Sequence, residues 1–255
     1  MTKSLVIISY YDARSSEHLN RLISDLKRSR SEGRFEVAVC VNVEISRPLD
    51  LDKEISVFRR ENSGFNIGAW QYAFQKSPGF DFYLFLQDEC RVNKAGWLKA
   101  YLNHTQVPNV GLVGESLVRY RSWAEYADQW PKNARACKRL CRTIGIDPGT
   151  SPTSLQALAM GARADVLNRI GGFVQSHEEI APDSDEKCEA IATEVVTSIR
   201  ARAHGYRTIQ SAWRPFTYFS HDQWKDVRKA SEKPAWHAKK LIKSSIDFFD
   251  SRIFR

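Results

Sequence analysis

Four short stretches of this chain are apolar or nearly so from end to end: LVIISY (Leu5–Tyr10), FEVAVCV (Phe35–Val41), FDFYLFL (Phe80–Leu86) and VGLVG (Val110–Gly114). A strand with one face in water alternates apolar and polar residues, whereas a strand covered on both faces does not. Between these runs lie segments of helical period. In SSEHLNRLISDLKRSR, Leu19, Leu22, Ile23 and Leu26 fall on one helical face, with Ser15 or Ser16 as N-cap. Strands buried on both faces and alternating with helices predict an α/β fold, a mainly parallel sheet flanked by helices. Ligands of such sheets bind outside the carboxyl ends of the strands. That rule places YYDA after the first strand, NVE after the second and QDE after FDFYLFL on one rim.

The remaining segments fit the same plan. ISVFRR (Ile55–Arg60) reads as a third strand, Asn66–Gln75 as a helix opening toward the rim, and AGWLKAYLNH as another helix. Residues 119–153 are irregular, with Tyr120, Trp123, Tyr126 and Trp130 among arginines and lysines. LQALAMGARADVLNRIGGF reads as a strand, a short helix and a glycine turn, and 174–192 as an acidic loop. ATEVVTSIRARAHGYRTIQ reads as a helix ended by Gly205 and followed by a strand. The expected organisation is one domain over 1–222, with halves of about 1–114 and 115–222, and a basic amphipathic tail over 223–255. That tail either lies in a membrane interface or packs on its own domain or a partner subunit.

The charge balance narrows the partners. The net charge is +8 and the pI about 9.3, a surface that attracts phosphates, whether of nucleic acid, lipid headgroups or a nucleotide-linked substrate. Five cysteines without metal-type pairing argue against a disulfide framework. No apolar run approaches the roughly 20 residues of a membrane span, and MTKSLVIISYYD lacks a signal-peptide core. The expectation is a soluble, cytoplasmic protein, with the tail as the segment that could reach the cytoplasmic membrane face.

Two constellations carry chemistry. In ENSGFNIG, Gly64 and Gly68 precede a helix whose N-terminus attracts anions, or simply form a strand-to-helix turn. The order fits neither a dinucleotide fingerprint nor a P-loop. Gln87-Asp88-Glu89 places hard oxygen donors at the end of the most apolar strand, suited to Mg²⁺ or Mn²⁺. On its own, an acid pair there is also a solvated loop.

Taken in order, these segments resemble the GT-A-fold glycosyltransferases, particularly the inverting family two and its relatives in bacterial cell-surface polysaccharide assembly. ENSGFNIGAW is similar to that group's Asn-x-Gly segment, and YLFLQDEC to its strand ending in Asp-x-Asp. ADVLNRIGGF resembles its GGF turn, TEVVTSIRARAHGYR its Glu-Asp helix, and YFSH its late metal-binding histidine. The resemblance spans about residues 4–222. It implies a Rossmann-like GT-A domain, a nucleotide-sugar donor, a divalent metal, and a glycan or lipid-linked glycan acceptor. The implied donor contacts are Ser9, Tyr10, Tyr11, Asn42, Asn62, Gly64, Asn66, Gly68, Gln87 and Asp88. The implied metal ligands are Glu89, with Asp88 able to substitute, and His221. Glu194 falls on the general base. The implied acceptor contacts are His177, Glu178 and Trp123, and Arg200 carries no assigned role. The chain departs from the family at Gln87, Asn42 and Thr193, where aspartate or an acid is usual.

The implied function is metal-dependent inverting sugar transfer to a glycan hydroxyl in surface polysaccharide (O-antigen or capsule) assembly, with peripheral contact to the inner membrane as a further expectation. Two other readings share some of these features. A sugar nucleotidyltransferase uses a glycine- and arginine-rich loop after the first strand, and SYYDARSS has no glycine. A nucleic-acid-binding protein would account for the +8 charge, but no recognition motif supports it and no nucleic-acid partner is expected.

Overall fold

A computed structural model describes residues 2–29, 33–175 and 185–221. The chain divides into two units, Met1–Ser220 and His221–Arg255, and of the second only His221 is described. The expected tail, His177 and Glu178 lie outside the described residues.

The first half alternates as the periodicity predicts: β1 (Ser4–Tyr11), α1 (Glu17–Arg28), β2 (Phe35–Val43), β3 (Ser56–Glu61), α2 (Phe65–Lys76) and β4 (Phe82–Gln87). Next come β5 (Cys90–Val92), α3 (Trp97–Thr105), β6 (Val110–Gly114), β7 (Leu117–Val118), α4 (Trp123–Gln129) and α5 (Pro131–Thr143). The chain continues through β8 (Ser154–Leu155), β9 (Ala159–Arg163), α6 (Ala164–Ile170), α7 (Glu186–Ala203), β10 (Arg207–Gln210) and β11 (Phe219–His221).

Among the described residues, seven strands form the main sheet in the order β10-β6-β9-β4-β1-β2-β3. β1 runs parallel to both β2 and β4, which is why its residues from Ser4 to Tyr10 are buried without alternation. β9 enters antiparallel between β4 and β6, and β10 completes the far side parallel to β6. The mainly parallel α/β sheet expected from the apolar runs is therefore present, with one reversed strand. The chain runs outward from β1 through β2 to β3, then returns to place β4 on β1's other side. The crevice at this switch point opens at the carboxyl ends of β1, β2 and β4.

Two segments differ from expectation. Residues 119–143 were read as irregular, yet α4 and α5 occupy most of them. Pro131 starts α5 at the helix position where proline costs no hydrogen bond. Its buried face consists of Asn133, Ala134, Ala136, Cys137, Leu140 and Cys141, with Lys132, Arg135, Lys138 and Arg142 exposed on the opposite face. This face packs against Val195, Val196 and Ile199 of α7 in a second core. The acidic stretch 174–192 was read as a loop, but α7 begins within it. Asp185 caps that helix by accepting the Cys188 N–H at 2.9 Å, and acids in a first helical turn are favoured by the helix dipole.

Candidate active site

The ends of β1 and β4 are locked together at the rim. Ser9 stands opposite Gln87, and the next N–H, that of Asp88, donates to the Ser9 carbonyl at 3.1 Å. The Ser9 hydroxyl lies 2.9 Å from Asn66 Oδ1, tying the start of α2 to the same point. The tight entry to α2 requires both glycines of ENSGFNIG. Gly64 has φ +69°, and a Cβ on Gly68 would stand 2.1 Å from the Ser63 carbonyl oxygen. Asn42 is buried at the end of β2. It donates to the Phe65 carbonyl at 3.2 Å and accepts from Arg60 Nη1 at 2.9 Å, so it positions the α2 entry. Asn62 is half-buried in the same turn.

Asp12, in the YYDA segment of the rim, is a further site residue, absent from the donor and metal contacts expected from the sequence. It is fully buried and accepts the backbone N–H groups of Glu44 (2.7 Å), Ile45 (3.1 Å) and Arg47 (3.2 Å), joining the end of β1 to the loop after β2. Burial alone would raise its pKa, but these donors hold the carboxyl below its ordinary value. A carboxylate directly after β1 was visible in YYDA by the logic applied to Asp88. Tyr10 donates from its hydroxyl to the Arg14 carbonyl at 2.8 Å. Burial raises its pKa, with Asp88 and Asp12 adding to the rise and Arg47 opposing it. The Tyr11 hydroxyl is raised by desolvation and by its hydrogen bond to the Glu44 carboxylate.

Of the two acids after β4, Asp88 is buried, with 5% of its surface exposed. Glu89 is partly buried and pairs with Arg14 at 2.8 Å. Among the described residues no three His, Cys, Asp or Glu side chains converge as a metal cluster. A Mg²⁺ or Mn²⁺ ion delivered with a diphosphate needs only one or two carboxylates, because phosphate oxygens and water complete its shell. Two adjacent carboxylates at a rim fit that kind of ion, not a metal held by protein alone. His221 is buried and ends β11, the partner strand of β5.

Glu194 reaches the rim through one residue. The Ala157 N–H donates to the Glu194 carboxylate, and the Ala157 carbonyl accepts from Gln87 Nε2. The Gln87 N–H also donates to the Leu158 carbonyl at 3.2 Å. The stretch between β8 and β9 is thus clamped on one side by the end of β4 and on the other by α7. Burial pushes the Glu194 carboxyl up to about 8, and the Ala157 N–H only partly offsets that rise. Its charge is felt by Tyr126 and Cys137, both raised chiefly by their own burial. Nothing in the sequence marked Ala157 as the link, since its contribution is made entirely by the backbone.

Trp123 stands at the start of α4, buried in the second core, with its indole N–H donated to the Gly149 carbonyl at 2.9 Å. Arg200 does not pair with Glu194. It donates to the Gly171 and Gly172 carbonyls of the GGF turn.

No family model and no curated protein sequence matches the chain. Solved structures do. A mannosyltransferase from Pyrobaculum calidifontis, in complex with GDP-Man and Mn²⁺, is similar at TM-score 0.50 and 13% identity, over 84% of this chain and 55% of that one. S. aureus TarS (residues 1–349) is similar at TM-score 0.47 and 14% identity, over 90% of this chain and 63% of its own. A variant Drosophila β1,4-galactosyltransferase 7, in complex with manganese, UDP-Gal and xylobiose, gives TM-score 0.47 and 12% identity, over 90% and 74%. The chain therefore spans little more than half the length of the mannosyltransferase it matches. The strand order, the reversed β9 and this likeness together identify the architecture: the chain has the GT-A fold.

Proposed function

We propose that the chain is a glycosyltransferase that moves a sugar from a nucleoside-diphosphate donor to a glycan hydroxyl with inversion. The observation that carries this reading is the Ala157 bridge. It brings a carboxylate of raised pKa, Glu194, to within one residue of the β4 end where Gln87, Asp88 and Glu89 lie. A base and a donor-binding rim held by one rigid stretch is the arrangement that direct displacement requires.

Glu194 takes the proton from the attacking hydroxyl, and its raised pKa suits that task because the ideal base titrates near the working pH. The donor diphosphate lies along the rim formed by Ser9, Gln87 and the entry to α2, where the helix N-terminus favours anionic oxygens. Tyr11 flanks the nucleoside, Tyr10 braces the loop after β1 through its bond to the Arg14 carbonyl, and Asn42 and Asn66 keep the α2 entry in place. Asp88 and Glu89 would hold a divalent ion, which supplies positive charge to the leaving diphosphate when bound. A single displacement needs no protein nucleophile. The Pyrobaculum mannosyltransferase, solved with a nucleotide sugar and Mn²⁺, supports the choice of donor and ion. The resemblance to surface-polysaccharide enzymes points to a lipid-linked or free glycan as acceptor at the inner membrane.

The test is donor turnover over a panel of nucleotide sugars with Mn²⁺, for the wild type and Glu194→Gln. Transfer is expected to fall at least 100-fold in the variant while nucleotide-sugar affinity stays within about threefold. Undiminished transfer by Glu194→Gln would remove Glu194 from the mechanism.

A further inference from the structure

Beside the entry to α2, a cavity of about 410 Å³ opens between α2, the GGF turn and α7. Arg60, Gln71, Gln75, Gln175 and Arg200 line it, and among the described residues no aspartate or glutamate does. Burial lowers the pKa of both arginines, unopposed at Arg200 and partly offset at Arg60 by Cys40, Tyr72 and the Glu61 carboxylate.

Both guanidinium groups are held in place and both have donors left over. Arg200 is pinned by the Gly171 and Gly172 carbonyls, and its buried Nε has no hydrogen-bond partner. The turn can offer those carbonyls because both glycines have positive φ, +75° and +74°. A Cβ on Gly172 would stand 2.2 Å from Gln71 Oε1, so a side chain there would displace that amide. Arg60 uses Nη1 on Asn42 and leaves the rest of its fork. Gln71 accepts the Phe173 N–H at 2.7 Å through Oε1, which leaves its NH₂ donors. Two guanidinium groups half withdrawn from water on one cavity, one of them with an unpartnered Nε, favour an anionic ligand there.

We propose that this cavity binds a phosphate monoester of sugar size. A phosphate monoester carries about −1.5 to −2 charges at neutral pH, matching two guanidinium groups, and its oxygens suit their fork geometry. The cavity volume falls within the range of small-molecule sites, roughly 300–1,000 Å³, leaving room for a hexose beyond the phosphoryl group. The phosphoryl group is either free on a small metabolite or borne by the acceptor. The site involves neither Glu194 nor the acids after β4, but it adjoins the proposed donor rim, since Gly68 of the α2 entry lines it and Arg60 bonds Asn42.

Isothermal titration at fixed ionic strength without divalent metal tests it, with inorganic phosphate and glucose 6-phosphate as separate probes. Both are expected to bind the wild type. Tighter glucose 6-phosphate binding indicates that the sugar occupies the remaining space, and equal binding that the phosphoryl group alone is read. Gln75 is exposed on α2, so Gln75→Glu should fold normally while placing a carboxylate against the arginines. It should weaken both probes at least tenfold, whereas Gln75→Ala stays within about threefold. The proposal is overturned if neither probe binds at 20 mM, roughly the weakest useful affinity. It is equally overturned if Gln75→Glu binds them as the wild type does, or if UDP or GDP with Mn²⁺ displaces them competitively.

Discussion

Substituting Glu194 by glutamine tests whether burial of that carboxyl shapes the energetics of the whole fold. The folded-state pKa is about 8 against an ordinary value of 4.5, so the folded protein holds a proton there that the unfolded chain has released. Between these values the native state binds more protons, and its stability falls as pH rises. The contribution is fully present below about 4.5 and is lost as pH climbs through about 8. Each unit of pH inside the window removes up to about 1.36 kcal/mol. The side chain is not wholly shielded from solvent, so about 2–4 kcal/mol over the window is a fair scale. Glutamine keeps the oxygen that accepts the Ala157 N–H and has no proton to lose. Stability of wild type and variant, measured by thermal unfolding from pH 5 to pH 9, should therefore diverge. For a domain of this size the variant should gain roughly 5–15 °C on the wild type between the two ends. The buried Glu115, also raised by burial, is common to both proteins and cancels in the difference. Parallel curves would show that Glu194 titrates normally and that its setting is more aqueous than the geometry implies.

Three further outcomes are expected. The transfer rate kcat/KM should rise with pH and level off above about 8, because a base must be ionised to accept a proton, and a flat profile would separate Glu194 from the proton transfer. Glu89→Gln should scarcely alter the stability of the unliganded protein, since the partly exposed Arg14 pair is worth about 0–1 kcal/mol. It should, however, remove the Mn²⁺-dependent stabilisation by nucleoside diphosphate, about 2.7 kcal/mol at 100-fold excess over Kd, as read by thermal shift. Gly68→Ala should destabilise the fold by about 3 kcal/mol, because its Cβ would stand 2.1 Å from a backbone oxygen, and an unchanged denaturation midpoint would contradict the close approach.

Much of this was legible from the residues because it rests on patterns that chain chemistry enforces locally. A strand buried on both faces must be apolar throughout, which exposed β1, β2, β4 and β6, and a helix packed on one side must repeat, which exposed α1. The rim followed from the strand ends. What stayed hidden depends on contacts distant in sequence or made by the backbone. α5 is amphipathic, with its lysines and arginines opposite the buried face, but the buried residues are small and its packing partner α7 lies far away in the chain. The Ala157 link uses one N–H and one carbonyl, groups that every residue but proline carries. Trp123 looked like an acceptor contact among basic residues, yet its indole is buried in the second core and donates to Gly149. The arginines of the second cavity are 140 residues apart in the chain, and only the fold reveals that they share it.

The reversed strand β9 also bears on how the chain must be made. β6 has no neighbour on the β4 side until β9 arrives, and Leu112 waits for Ala162, about 50 residues later in the chain. At a synthesis rate of about 5–20 residues per second, that interval is roughly 3–10 s. During it, the apolar strand β4 is the open edge of a four-stranded sheet, the kind of edge that recruits strands from other chains. A nascent chain stalled before residue 159 should therefore be prone to aggregation, and extension through residue 163 should relieve it.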